Sequence, residues 1–165
     1  MKTLKTILFL SFLLPLKIWG QLPTHIVQQL LHADTVMLVS HLQTDGIVIM
    51  DDKGKKQFSK KLVEKRVLNK ELIVKHALLT TNDRQELADI LKQPFKDRKV
   101  ETCQFIPFNA IVFIESGKAS SIEVSLECRA YKYIQGNKEE LVQMDKAKWM
   151  KLSAYFERFE ISNED

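Results

Sequence analysis

The clearest pattern of apolar and polar positions lies in the middle of the chain. Residues 110–114 (AIVFI) form an unbroken apolar run, which is typical of a strand covered on both faces. Residues 122–130 then alternate strictly between apolar and polar side chains, which predicts one half-exposed antiparallel strand. The tripeptide Ser116-Gly117-Lys118 lies between the two runs, and we predict that it supplies the turn that joins them.

Shorter β-rich runs precede this pair. Residues 35–40 (TVMLVS) and 47–50 (IVIM) are separated by a loop that contains an Asp-Gly turn signal, so we predict that they form a hairpin. Residues 56–79 fit either one face of a helix or several short strands. We favour strands there, and residues 72–79 (LIVKHALL) have the clearest strand pattern.

Two short segments have apolar residues at helical spacing. Residues 24–33 (THIVQQLLHA) predict a helix with Thr24 as its N-cap. Residues 83–92 predict a second helix, for which Asn82 and Gln85 have the spacing of a capping box.

The C-terminal segment carries the longest helical pattern. Asn137 and Glu140 have the spacing of a second capping box, after a break at Gly136-Asn137. Together with the stripe that follows, they predict an amphipathic helix of about twenty residues. The stripe consists of apolar side chains three, four or seven residues apart: Leu141, Met144, Leu152, Tyr155, Phe156 and Phe159.

These elements define a fold class. Strand pairs joined by tight turns, with helices before, between and after them, predict an α+β fold with an antiparallel sheet of about four to six strands. The long C-terminal helix and one or two shorter helices are expected to pack on this sheet. A length of 165 residues with 45% apolar residues is typical of one globular domain.

The first twenty residues have the three parts of a secretory signal peptide. Lys2 and Lys5 precede the apolar run 7–16, and the small residue Gly20 follows. Ten apolar residues span about 15 Å as a helix, whereas the hydrocarbon layer is about 30 Å thick, so this run is not a membrane anchor. We predict cleavage after Gly20, a mature domain of residues 21–165, and a periplasmic or secreted location.

Cleavage would change the charge balance. The whole chain has a net charge of +4, but three of its 25 basic residues belong to the leader, so that 22 remain against 21 acidic residues. A nearly neutral domain with one aromatic residue in its basic segment does not predict a nucleic-acid partner. The basic segment is either a solvated surface or a binding surface for a protein or an anionic envelope component. Its candidate binding residues are Lys55, Lys56, Lys60, Lys61, Lys65 and Arg66.

The two cysteines are a disulfide candidate, because an exported protein enters an oxidising compartment. With a turn at Ser116-Gly117, Cys128 would face Phe105, which puts Cys103 at a diagonal position about 7–8 Å away. Pro107 is expected to end the regular pairing and to let Cys103 approach. The alternative is two separate thiols, with Cys128 packed as a small apolar side chain.

Other chemistry has weak support in the sequence. The four histidines are scattered, and there is no HExxH, P-loop, GxSxG, GxGxxG or EF-hand motif. The sequence therefore predicts no metal and no cofactor, and favours a binding domain that is not an enzyme. The alternatives are a thiol- or metal-dependent envelope accessory protein that uses Cys103 and Cys128, and, third, a small hydrolase.

The segment from Cys103 to Cys128 also resembles a family of small uncharacterised exported bacterial proteins. In that family a cysteine and a strand with Pro-Arg precede a second strand that ends in C-x-x-C. The resemblance covers residues 79–161, and it implies export and an α+β domain without an assigned activity. Phe108 stands where the family has Arg, and Ser125 stands where it has the first Cys of the C-x-x-C. A redox or metal role for that pair is therefore not carried over.

Overall fold

A computed structural model describes six stretches of the chain: residues 24–42, 48–50, 56–58, 61–93, 103–135 and 138–161. The predicted leader lies outside these stretches, as does the Asp-Gly turn after the first strand. Three helices are present in the described part: α1 (Thr24–His32), α2 (Thr81–Lys92) and α3 (Lys146–Arg158).

Ten strands lie within the same stretches. In chain order they are β1 (Thr35–His41), β2 (Val48–Met50), β3 (Lys56–Phe58), β4 (Val63–Glu64), β5 (Val67–Leu68), β6 (Ile73–Leu78), β7 (Asn109–Glu115), β8 (Lys118–Ser125), β9 (Ala130–Gln135) and β10 (Lys138–Gln143). Six of them form one sheet in the order β10-β9-β8-β7-β1-β6, and every neighbouring pair is antiparallel. The predicted α+β class with an antiparallel sheet is confirmed.

The sheet is covered differently on its two faces. The three helices pack on one face, where Leu38 and Ile111 meet buried side chains such as Leu30, Leu87 and Phe156. The other face holds a smaller core, which consists of Val39, Leu62, Leu72, Ala110 and Val112. Because strand side chains alternate between faces, both cores draw on β1 and β7.

The central hairpin agrees with the prediction. Glu115 pairs with Lys118, and the two residues between them, Ser116 and Gly117, have φ angles of 49° and 74°. Positive φ at both positions is what a type I′ turn requires, and its twist matches that of the strands. The apolar run in β7 is buried on both faces from Ala110 to Phe113, and Ile114 at its end is half-buried.

The strand predicted over residues 122–130 is wrong in its second half. β8 ends at Ser125, residues 126–129 form a turn, and β9 begins at Ala130. In this turn the Cys128 N–H donates to Ser125 Oγ at 3.4 Å, and Arg129 has a φ of 50°. A residue in the left-handed region ends the extended backbone, so successive side chains no longer point to opposite faces of the sheet. The alternation of apolar and polar residues in the sequence continues through the turn, although the strand does not.

The predicted hairpin between residues 35–40 and 47–50 is also wrong. β1 pairs with β6 and β7, and β2 pairs with β3. β1 has buried side chains on both faces, as expected for a strand inside the sheet. Its two neighbours, β6 and β7, are distant from it in sequence. The strands favoured over residues 56–79 are confirmed, and β6 lies within the clearest run.

Both predicted capping boxes are misplaced. α2 is capped by Thr80, whose hydroxyl accepts from the Asp83 N–H, and not by Asn82. The C-terminal helix begins at Lys146, where Asp145 is the N-cap and accepts from the Lys148 N–H at 2.7 Å. Asn137 lies outside the described residues.

The first part of the predicted long helix is the edge strand β10. Within it Val142 is buried in the core and Leu141 is exposed, an alternation with period two. Apolar residues at 141 and 144 therefore fit both a helix and a strand followed by a turn. The stripe from Leu152 to Phe156 does lie on a helix and packs into the core as predicted.

Candidate functional site

The basic segment forms a short hairpin on the sheet face that the helices leave uncovered. Glu64 of β4 pairs with Val67 of β5, so Lys65 and Arg66 form a two-residue loop. All four residues of this tip are exposed. The structure thus places the two cations next to each other at the end of the hairpin.

The hairpin is anchored at both ends. At its tip the Arg66 carbonyl accepts from the Ala119 N–H of β8 at 2.8 Å, and at its base the Asn69 N–H donates to the Leu62 carbonyl at 2.9 Å. Between these bonds, Leu62 and Leu68 pack on the smaller core. The tip is therefore held against the sheet.

The backbone of the tip is strained for its residues. Lys65 and Arg66 have φ angles of 49° and 66°, the left-handed region that a type I′ turn needs at both positions. Such turns ordinarily use Asn-Gly or Asp-Gly, because a side chain with a Cβ costs about 1 kcal/mol or more in this region. The Ser116-Gly117 turn follows this preference at its second position, whereas Lys65-Arg66 follows it at neither. Sequence reasoning missed this feature, although a two-residue gap between short β-rich pairs is its signal.

The other predicted basic residues are placed as follows. Lys61 lies at the base of the hairpin, where its ammonium is 3.6 Å from a Glu139 carboxylate oxygen. Lys56 belongs to β3, while Lys55 and Lys60 fall outside the described residues. Of the predicted set, the described structure brings Lys65 and Arg66 together. It adds Lys118, an exposed residue directly before the Ala119 that bonds the tip.

The predicted disulfide is confirmed. Cys103 and Cys128 are bonded, with Cα atoms 5.6 Å apart, within the usual range for a cystine. The pairing of β7 with β8 does not extend before Asn109. Cys103 therefore lies on an irregular segment that leads into β7 and contains Pro107, as the prediction requires. Cys103 is exposed and Cys128 is buried. The bond ties the lead-in segment to the 126–129 turn.

Other contacts fix both partners of this link. On the turn, the Leu126 carbonyl accepts from Trp149 Nε1 at 2.7 Å, and the Arg129 guanidinium lies 5.1 Å from the Trp149 ring centre. On the lead-in, the ring of Phe105 lies 5.6 Å from the Lys132 ammonium. Each of the two linked segments therefore has a contact between a cation and an aromatic ring.

A buried lysine holds two helices together. Lys148 of α3 is 1% exposed, and its Nζ donates to the Leu91 carbonyl in the last turn of α2 at 2.9 Å. The last carbonyls of a helix lack intrahelical donors, so this ammonium caps α2. Burial lowers the pKa of Lys148 to about 8, against the opposing effect of Asp145. The position was readable from the sequence, since it lies four residues before Leu152 on the apolar stripe.

The described residues form no group of three or more His, Cys, Asp or Glu side chains that is placed to hold a metal ion. Among the helices in the described stretches, none is long and apolar enough to cross a membrane. No family model, curated protein or solved structure matches the chain.

Proposed function

We propose that this protein is an exported binding domain, without catalytic activity of its own, whose hairpin tip at Lys65 and Arg66 contacts an anionic partner. The observation that carries the proposal is the conflict between residue and backbone at this tip. Two long cations occupy positions where Asn-Gly would be more stable. Strained residues persist where the surrounding structure holds them and cluster at functional sites.

The chemistry of the tip favours an anionic surface. A guanidinium donates two parallel hydrogen bonds to a carboxylate or phosphate, and an ammonium adds a point charge. Both are exposed, and the anchored backbone reduces the entropy lost when a partner binds. We propose an anionic envelope component as the partner, with an acidic protein surface as the alternative that the experiment distinguishes.

Export is the second part of the proposal. The disulfide is consistent with an oxidising location, because bonds of this kind persist outside the reducing cytosol. The Lys-rich start, apolar run and Gly20 support a cleaved leader, and the resemblance to exported bacterial proteins agrees with it. The envelope is thus the compartment in which a partner is sought.

The test uses one variant that carries both Lys65→Gln and Arg66→Gln. The matched control, Lys146→Gln with Lys151→Gln, removes the same charge from exposed positions on α3, across the sheet. Binding is measured to anionic vesicles, to neutral vesicles and to an immobilised anionic polysaccharide, and acidic proteins are sought by crosslinking in the envelope. The tip variant should lose binding and the control should keep it. Equal binding by both variants would remove the tip from the mechanism.

A thiol-based accessory function remains the second candidate, since Cys103 is exposed and an exposed disulfide sulfur is accessible to an attacking thiolate. Thiol counting against a graded dithiol buffer tests it. A reduction potential near that of envelope oxidoreductases supports the redox role. A potential below about −300 mV is typical of a structural disulfide and opposes it.

A further inference from the structure

The six-stranded sheet has two edges that pair with no further strand in the described part of the chain. β6 has β1 on one side, and β10 has β9 on one side. Each edge carries large exposed apolar side chains: Val74 is 58% and Leu78 is 64% exposed on β6, and Leu141 is 58% exposed on β10. Edge strands with such side chains are templates for pairing with another strand.

Backbone hydrogen bonds show which groups of β6 face outward. The Leu79 N–H donates to the Val36 carbonyl of β1 at 2.9 Å, so the backbone groups of Leu79 point toward β1. Bonded and non-bonded residues alternate along an antiparallel strand. The N–H and C=O groups of His76 and Leu78 therefore point away from β1.

Alternate residues of β10 also have outward-facing backbone groups. The Met144 N–H donates to the Arg129 carbonyl at 2.6 Å, directly beyond the last β10–β9 pair. The backbone groups of Glu139 and Leu141 therefore point away from β9. Both edges thus present outward-facing backbone donors and acceptors.

The two edges carry opposite charges. Lys75 is the cation in the middle of β6, and Glu139 and Glu140 lie side by side on β10. The Glu139 carboxylate also forms ion pairs with Lys61 and Lys132, so Glu140 is the charge that the register sets against Lys75. An antiparallel register with Lys75 opposite Glu140 also places His76 opposite Glu139. It brings Val74, at the bulge near the start of β6, beside Leu141. In this register the outward backbone groups of His76 and Glu139 meet.

The topology permits this pairing between copies. Strand direction alternates along all six strands, so β6 and β10 run in opposite directions. A second copy in the same orientation therefore presents its β10 antiparallel to β6. Like charges on both edges would repel such a copy, whereas here the charges attract.

We propose that a second copy of this chain docks edge to edge, with β6 of one copy pairing antiparallel with β10 of the next, Lys75 opposite Glu140. The contact uses two different surfaces, so each added copy leaves one edge of each kind free. Because the sheet twists, the copies follow a helical path. The assembly is an open chain whose mean length rises with concentration.

Sedimentation of the purified exported protein, from about 10 µM to about 1 mM, tests this proposal. The mean mass should rise continuously beyond that of a dimer. Lys75→Glu alone and Glu140→Lys alone should each weaken association about fivefold. The double variant, and a 1:1 mixture of the two single variants, should restore it, because both again oppose unlike charges.

His76→Pro is the second arm. Its lost N–H faces outward, so pairing with β1 is retained while the edge is blocked. Circular dichroism confirms that each variant is folded, and the His76→Pro protein should be monomeric throughout. A monomeric parent protein at 1 mM, or double-variant association no stronger than in the single variants, would overturn the proposal.

Discussion

Replacing Lys65-Arg66 with Asn-Gly should stabilise the protein while it abolishes binding. Both native residues have left-handed φ angles of 49° and 66°. Asn tolerates this region and Gly adopts it freely, so relief of strain is worth about 1–2 kcal/mol. Gly also raises the conformational entropy of the unfolded chain, which lowers this gain in stability by about 0.5–1 kcal/mol. The free energy of unfolding should therefore rise by about 1 kcal/mol, with an increase in Tm of about 2–4 °C.

The control for this prediction is Lys65→Ala with Arg66→Ala, which removes the same charges and keeps Cβ atoms in the strained backbone. It should lose binding without gaining stability. Urea unfolding measures both free energies, and the vesicle and polysaccharide assays measure binding. If the Asn-Gly protein is no more stable than the Ala-Ala protein, the assignment of strain is refuted. If both still bind, the charges at the tip are not the binding groups.

Three further predictions concern the framework of the fold. Replacing Cys103 and Cys128 with Ala should lower the free energy of unfolding by about 3 kcal/mol, since the bond closes a loop with a sequence separation of 25. A loss under about 1 kcal/mol in a urea titration would contradict this value. Between pH 8 and pH 9 stability should rise, because the unfolded state binds the Lys148 proton up to its ordinary pKa of 10.5 while the folded state releases it near 8. Denaturation at fixed pH should show this rise in the parent protein and not in Lys148→Met. Thr80→Ala should cost about 1 kcal/mol in thermal unfolding and Thr81→Ala almost nothing, and equal losses would contradict the assigned cap.

Local signals in the sequence predicted the elements whose partners are also local. The β7–β8 hairpin has a two-residue turn and contiguous strands, so its register follows from Ser116-Gly117 alone. The disulfide was predictable because Pro107 interrupts the pairing where Cys103 must approach. In both cases neighbouring residues contain the information that fixes the geometry.

Errors arose where distant contacts decide between two local patterns. The segment with Leu141 fits a helix and a strand, and its pairing with β9 selects the strand. β1 lies between two strands that are distant in sequence, which a local turn signal at Asp45-Gly46 cannot indicate. The strain at Lys65-Arg66 was hidden for another reason, since that dipeptide is not a typical type I′ sequence.

Intact mass of the protein expressed with its own N-terminal segment in an exporting bacterial host tests the central claim most directly. That claim is an exported domain closed by one disulfide. The account predicts a chain that begins at Gln21 and gains about 2 Da on reduction, as one disulfide opens to two thiols. A cytosolic protein that retains Met1, or a mass that reduction leaves unchanged, would contradict it.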